Sequence, residues 1–432
     1  MGEYFRIQGR KKLEGDLPVR GSKNAAFPLL AASLLTKEAC VIGNLPHIED
    51  VSRMLEILTS MGVEVDRIDE RSVRIRSNNA TIDTINKDVV LKFRGAALLF
   101  GPLLSRFRNV SLPQPGGCII GARPLDTHVD AFRQLGARVR ETARRIDLEI
   151  DSIPKKREVI LNEFSVTATL NVMLFAASCP GTTVIKIADQ DYQVQELARV
   201  LRHMGAAVTL GPANTIVVEG VKKLSGFNAE LLYDPIEAGT FIVLAASSRG
   251  RVVVRNVEKD FLELFLKKLK HSGVRFAETP SSARLSSSSH ALVDIALEPY
   301  TSLRIEKIQS WIYPGIHSDL QSVLGVLATQ AKGSTLLHDP LYEGRLKYLE
   351  ELNKMGAEIY IAGPHRAIIN GPTLLHGTNL GPLDLRGGAA LIIAALIAKG
   401  ESTINNVYQV DRGYEAIEKR LQAIGADIIR TK

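Results

Sequence analysis

The sequence predicts an α/β protein of two globular domains, each built from three copies of one βα unit. Three observations carry that reading: a sixfold internal repeat, a strongly apolar helix pattern in every copy, and a length of 432 residues that suits two or three ordinary cores. The repeat is a small or apolar residue, then Gly, then an alternating strand. It occurs at Met61-Gly62-Val63, Leu135-Gly136-Ala137, Met204-Gly205-Ala206, Ser272-Gly273-Val274, Met355-Gly356-Ala357 and Ile424-Gly425-Ala426, with glycines 74, 69, 68, 83 and 69 residues apart. Each Gly follows an amphipathic stretch such as Val51 to Ser60 or Leu262 to His271. It therefore falls where a helix C-cap needs positive φ. A unit of about 70 residues is too long for a solenoid repeat of about 20 to 50, which favours two domains of three units.

Upstream in each copy lies a second helix pattern, rich in Ala, Gly and Leu: Ala25 to Leu35, Gly95 to Ser105, Ala168 to Ser178, Ala238 to Ser248, Leu320 to Gln330 and Gly388 to Ala398. Segments apolar on nearly every face belong inside a domain. Their lead-in segments are GSKNAA (21–26), FRGAA (93–97), SVTAT (165–169), DPIEAGT (234–240), HSDLQ (318–322) and DLRGGA (384–389). Any one of them reads as an ordinary N-cap. As a set carrying Lys23, Arg94 and Arg386, they predict an anion site, because helix N-termini offer unpaired N–H groups and partial positive charge.

Composition narrows the function classes. Hydrophobic residues at 45% and charged residues at 23% describe a globular chain. The charged N-terminal stretch has no signal-peptide pattern, so a cytoplasmic location is expected. The most apolar window, Ala389 to Ala398, is about half of the ~20 residues a membrane span needs, so no membrane association is expected. The net charge of +7 points to anionic partners. Basic residues are dispersed without an arm or aromatic interleaving, which fits small phosphorylated ligands and no nucleic acid. Three scattered cysteines, Cys40, Cys118 and Cys179, make neither a disulfide framework nor a zinc site. Cys40 and Cys179 sit among small and apolar residues and read as core filler. Cys118 lies in Pro113-Gln114-Pro115-Gly116-Gly117-Cys118-Ile119-Ile120-Gly121-Ala122-Arg123-Pro124, a Pro/Gly-punctuated loop with Arg123 five residues on. That setting suits a reactive thiol.

GSKNAA, PGGC-x-x-GARP, DLR at 384–386 and DRGYE at 411–415 occur in an order, and over a span, that resembles the UDP-N-acetylglucosamine 1-carboxyvinyltransferase family of enolpyruvyl transferases. The resemblance implies two inside-out α/β barrels of three βαβαββ units each, with the active site in the cleft between them. It places one domain at residues 23–232 and the other at 1–22 plus 233–432. It implies phosphoenolpyruvate and UDP-N-acetylglucosamine as small-molecule substrates in peptidoglycan synthesis, with no metal or organic cofactor. It assigns Lys23, Asn24, Arg123, Arg345, Arg386 and Arg412 to phosphoenolpyruvate, and Cys118, Asp319 and Lys23 to catalysis. Cys118 would be the proton donor and the residue that fosfomycin alkylates, and Asp319 the base. The nucleotide sugar would meet Arg94, Arg123, Pro124, Leu125, Asp126, Thr127, Ser165, Val166, Asp319 and Leu341.

The departures from the family pattern gather on the nucleotide-sugar side. Glu163 stands where the family commonly has Lys, Pro235 where it has Arg, and Thr167 where it has Gly. His317-Ser318-Asp319 replaces Pro-Thr-Asp, and Asp191-Tyr192-Gln193 replaces Glu-Pro-Glu. Either a divergent enzyme acting on the usual acceptor or a relative with another nucleotide-sugar acceptor fits these changes; a relative that binds ligand without turnover is the third possibility.

Overall fold

The computed structural model describes residues 2–116, 121, 124–283 and 291–432. Cys118 and Arg123 lie outside the described residues. Among the described residues there are six sheets, five of four strands and one of three, one sheet for each sequence repeat. The third is representative. Lys156–Ile160 runs parallel to Gly181–Lys186, which pairs antiparallel with Thr215–Gly220, and that strand forms a hairpin with Ala207–Gly211. All six repeat glycines take positive φ, from 80° to 104°. A side chain there would strain the backbone at the point where each amphipathic helix turns into its hairpin.

The apolar helix patterns become α1 (Lys23–Ala32), α2 (Phe100–Phe107, preceded by a 3-10 turn at Arg94–Leu99), α3 (Val166–Ala177), α4 (Pro235–Ser248), α5 (Gln321–Ala328, preceded by a 3-10 turn at Ser318–Leu320) and α6 (Leu385–Ile397). They are buried almost throughout, with the sheets outside them. Helices thus form the core and sheets the shell, which is the inside-out arrangement. The buried apolar residues form two clusters. One draws on Ala25 to Leu232; the other combines Phe5 to Val19 with Ile236 to Ile428.

Strand pairing explains why the N-terminus joins the second cluster. Tyr4–Gln8 lies between Glu401–Ile404 and Asp427–Thr431, and Glu14–Pro18 runs parallel to Arg251–Glu258. The chain crosses between the clusters twice, at residues 20–22 and 232–234. The crossings pair through a Gly21–Tyr233 bridge, with Ser22 N–H donating to Leu232 O at 2.8 Å. A Cβ on Gly21 would lie 1.7 Å from Asn44 O, so only glycine lets this crossover pass so close to the Asn44 carbonyl.

Candidate active site

Five of the six helix lead-ins converge on one cleft. Its walls carry Lys23 and Asn24 at the start of α1, Arg94 before α2, Val166 and Thr167 on α3, Asp319 before α5, and Asp384 and Arg386 at α6. Arg345 and Arg412 complete it, and the cavity encloses about 980 Å³. The sixth lead-in, at Pro235, lines a smaller hollow beside Asp191 and Phe261 instead. The capping reading holds alongside the anion reading: Ser22, Ser165, Asp234, His317 and Asp384 each accept a backbone N–H of the helix they precede.

Two carboxylates, Asp50 buried and Asp319 partly so, organise the cations. Asp319 accepts from Arg345 Nη2 at 2.7 Å and from Arg386 Nε at 3.0 Å. Burial alone would raise its carboxyl, but the Arg386 and Arg345 guanidiniums outweigh that and hold it well below the usual carboxylate range. Asp50 accepts from Lys23 Nζ at 3.1 Å and from Arg412 Nε at 3.0 Å. Asp50 therefore joins a residue of the first cluster's region to one of the second's. The aromatic packing is equally specific. Lys23 Nζ lies 5.5 Å from the Phe27 ring centre, and Arg386 Nη1 donates to Tyr414 Oη at 3.1 Å.

Arg386 Nη2 is buried with no hydrogen-bond partner among the described residues. An orphaned guanidinium N–H is costly unless a ligand completes it. The cleft carries Lys23, Arg94, Arg345, Arg386 and Arg412 against Asp50, Asp319 and Asp384, an excess of two positive charges. That excess matches a small ligand with phosphate and carboxylate groups.

A second cavity continues from the first, sharing Arg94, Val166, Thr167, His317 and Tyr342. It is lined by Pro124, Asp126, Ser165 and Leu341, as expected for the acceptor side, and also by Glu163, Trp311 and Glu343. Leu125 and Thr127 do not line it. Leu125 is packed into the first core, and Thr127 is buried, its hydroxyl donating to Glu163 Oε1 at 3.3 Å.

The departures from the family pattern find local partners. Thr167 Oγ1 meets His128 Nε2 at 2.9 Å. His317 Nδ1 accepts from Asp319 N–H at 3.0 Å, which turns Nε2 toward Asp191 Oδ2 at 3.5 Å. Two departures thus face each other across the cleft. Pro235 stands at the first turn of α4, capped by Asp234.

Sequence reasoning missed Asp50, Asp384 and Trp311. Glu49-Asp50 looks like routine acidic charge in a helix's first turn, and Asp384 like a plain N-cap; Trp311 carried no motif signal. The two cysteines read as filler are buried, and burial pushes the Cys40 thiol up to about 12. No helix of the described residues is long and apolar enough to cross a membrane.

Comparison with known proteins agrees with this geometry. Residues 7–421 match the family model described as EPSP synthase (3-phosphoshikimate 1-carboxyvinyltransferase). The chain is 37% identical over 428 residues to the UDP-N-acetylglucosamine 1-carboxyvinyltransferase of Treponema denticola, covering 99% of each chain. It is 36% identical to that of Bacteroides thetaiotaomicron, again over 99% of each. In fold it resembles the enolpyruvyl transferase NikO from Streptomyces tendae, with a TM-score of 0.87 at 23% identity, covering 100% of this chain and 99% of that one. A match that spans nearly the whole chain, on a cleft built for a phosphorylated carboxylate, leads to one conclusion: the chain belongs to the enolpyruvyl transferase family, alongside the UDP-N-acetylglucosamine 1-carboxyvinyltransferases.

Proposed function

We propose that this protein transfers the enolpyruvyl group of phosphoenolpyruvate to the 3′-hydroxyl of UDP-N-acetylglucosamine and releases phosphate, the first committed step of peptidoglycan synthesis. The observation that carries the reading is the cation cluster of Lys23, Arg345, Arg386 and Arg412 around one cleft, with Arg386 Nη2 lacking a partner among the described residues. Lys23 and Arg412 are the natural holders of the phosphate, joined by Arg123; Arg345 and Arg386 suit the carboxylate, whose two oxygens match a guanidinium fork. Asn24 lines the same cleft, its amide donating to Tyr192 Oη at 3.1 Å, and is assigned to phosphoenolpyruvate with Lys23.

In the addition step the hydroxyl oxygen bonds to C2 and its proton passes to Asp319, while C3 takes a proton from Cys118. Elimination then breaks the C2–O bond to phosphate as C3 returns a proton to the Cys118 thiolate, restoring the double bond, and the proton held by Asp319 leaves with the phosphate. Asp319 is a weak base while both guanidiniums hold it. A substrate carboxylate that competes for Arg345 and Arg386 loosens that hold and raises its basicity. The two units are proposed as domains 23–232 and 1–22 plus 233–432, closing on substrate, and the reaction as cytoplasmic.

A second reading, another nucleotide-sugar acceptor, is favoured by Glu163 on the acceptor wall. Phosphate release by purified protein given phosphoenolpyruvate and UDP-N-acetylglucosamine tests the first reading. Release only with a different nucleotide sugar would replace it with the second.

A further inference from the structure

Among the described residues, three of the large apolar side chains left exposed line the acceptor-side cavity: Phe164, Trp311 and Leu341, with Trp311 the most open at 50%. Trp311 is the chain's only tryptophan. It is rigidly presented. Its backbone N–H donates to Ile316 O at 2.9 Å, Gly315 N–H donates to Ile312 O at 2.7 Å, and Ser310 bridges Ile316. The segment 310–316 is thus a closed loop that fixes the root of the indole. An indole held open to water within a polar-rimmed cavity is the arrangement of a ligand site rather than of a core.

The charge around it points the same way. The acceptor cavity is lined by Asp126, Glu163, Asp189, Asp191 and Glu343, against Arg94 as the arginine or lysine among the described residues there. Among the described residues that wall offers a diphosphate little attraction, which gives uncharged contacts more weight in acceptor binding. A nucleobase has a planar π face that an indole matches, and such stacking is insensitive to the carboxylates around it.

We propose that Trp311 is a specificity-determining residue of this site, its indole stacking on the base of the acceptor nucleotide. The proposal rests on the reading that the acceptor is a nucleotide sugar.

Its test uses the single tryptophan as reporter. UDP and UDP-N-acetylglucosamine should quench the intrinsic fluorescence of the full-length protein, whereas N-acetylglucosamine 1-phosphate, which has no base, should not. Trp311→Ala should raise the KM for UDP-N-acetylglucosamine about 10-fold, within the range for losing one base stack. The KM for phosphoenolpyruvate and kcat should stay within about 2-fold, and Trp311→Phe should recover most of the loss. Quenching by N-acetylglucosamine 1-phosphate equal to that by UDP would overturn the proposal, as would an unchanged acceptor KM in Trp311→Ala. If UDP-N-acetylglucosamine gives no phosphate release but another nucleotide sugar both quenches and turns over, the stacking stands and the acceptor assignment falls. If no nucleotide quenches, the stacking itself is wrong.

Discussion

Replacing Asp50 by Asn removes one carboxylate and leaves two buried cations facing each other. Asp50 is 4% exposed and lies 3.1 Å from Lys23 Nζ and 3.0 Å from Arg412 Nε. At such distances each attraction is about 5 kcal/mol with an effective dielectric constant of about 20. Desolvation offsets much of this, and removing one partner of a buried pair typically costs about 3 kcal/mol or more. For a domain of about 200 residues, unfolding entropy of about 2.1 cal/mol/K per residue converts that loss into a fall in Tm of about 7 °C. Lys23 Nζ would then lose its carboxylate and be exposed to an anion, so inorganic phosphate should stabilise Asp50→Asn more than the wild type and close about half of the gap. Thermal unfolding followed by circular dichroism, with and without phosphate, measures both effects. A Tm within about 1 °C of the wild type, or a gap that phosphate does not narrow, would refute the view that Asp50 holds these cations in place of a ligand.

Asp319→Asn keeps the shape but not the charge, and phosphate release should fall by about 10²- to 10⁴-fold, the usual contribution of a general base; a loss below about 3-fold would remove Asp319 from that role. Glu258 is fully buried, and burial first, then its neighbour Glu196, raises its carboxyl to about 7. A carboxyl raised on folding makes stability decline as pH rises from about 4.5 through about 7. Glu258→Gln should therefore raise Tm at pH 8 and change it little at pH 5, a difference on the order of 3 kcal/mol that pH-resolved melting would show. Burial also raises the thiols of Cys40 and Cys179, so fosfomycin should add once, at Cys118, by mass spectrometry of digested protein; an adduct on Cys40 would contradict the buried assignment.

Much of this molecule is written locally. The six repeat glycines announce their positive φ, because only a residue without Cβ turns easily from helix to hairpin there. The unbroken apolar runs of α3 and α6 announce burial on all faces. Lys23, Arg94 and Arg386 of the GSKNAA, FRGAA and DLRGGA lead-ins could be marked as anion-binding before their positions were known. What local pattern could not supply is pairing between distant segments. Asp50 and Arg412 stand 362 residues apart, and nothing in either neighbourhood signals the other. Asp319 reads as a free carboxylate until Arg345, 26 residues on, and Arg386 of the next repeat are packed against it. The departures at Asp191 and His317 look like separate losses and prove to be neighbours across the cleft. Backbone conformation and burial follow from short-range sterics and the hydrophobic pattern, and so the sequence by itself determined the repeats, the helices and the chemical character of the cleft. Which charges neutralise which, and that an indole stands open on the acceptor wall, depend on how six units fold back on one another, and only the tertiary structure decided them.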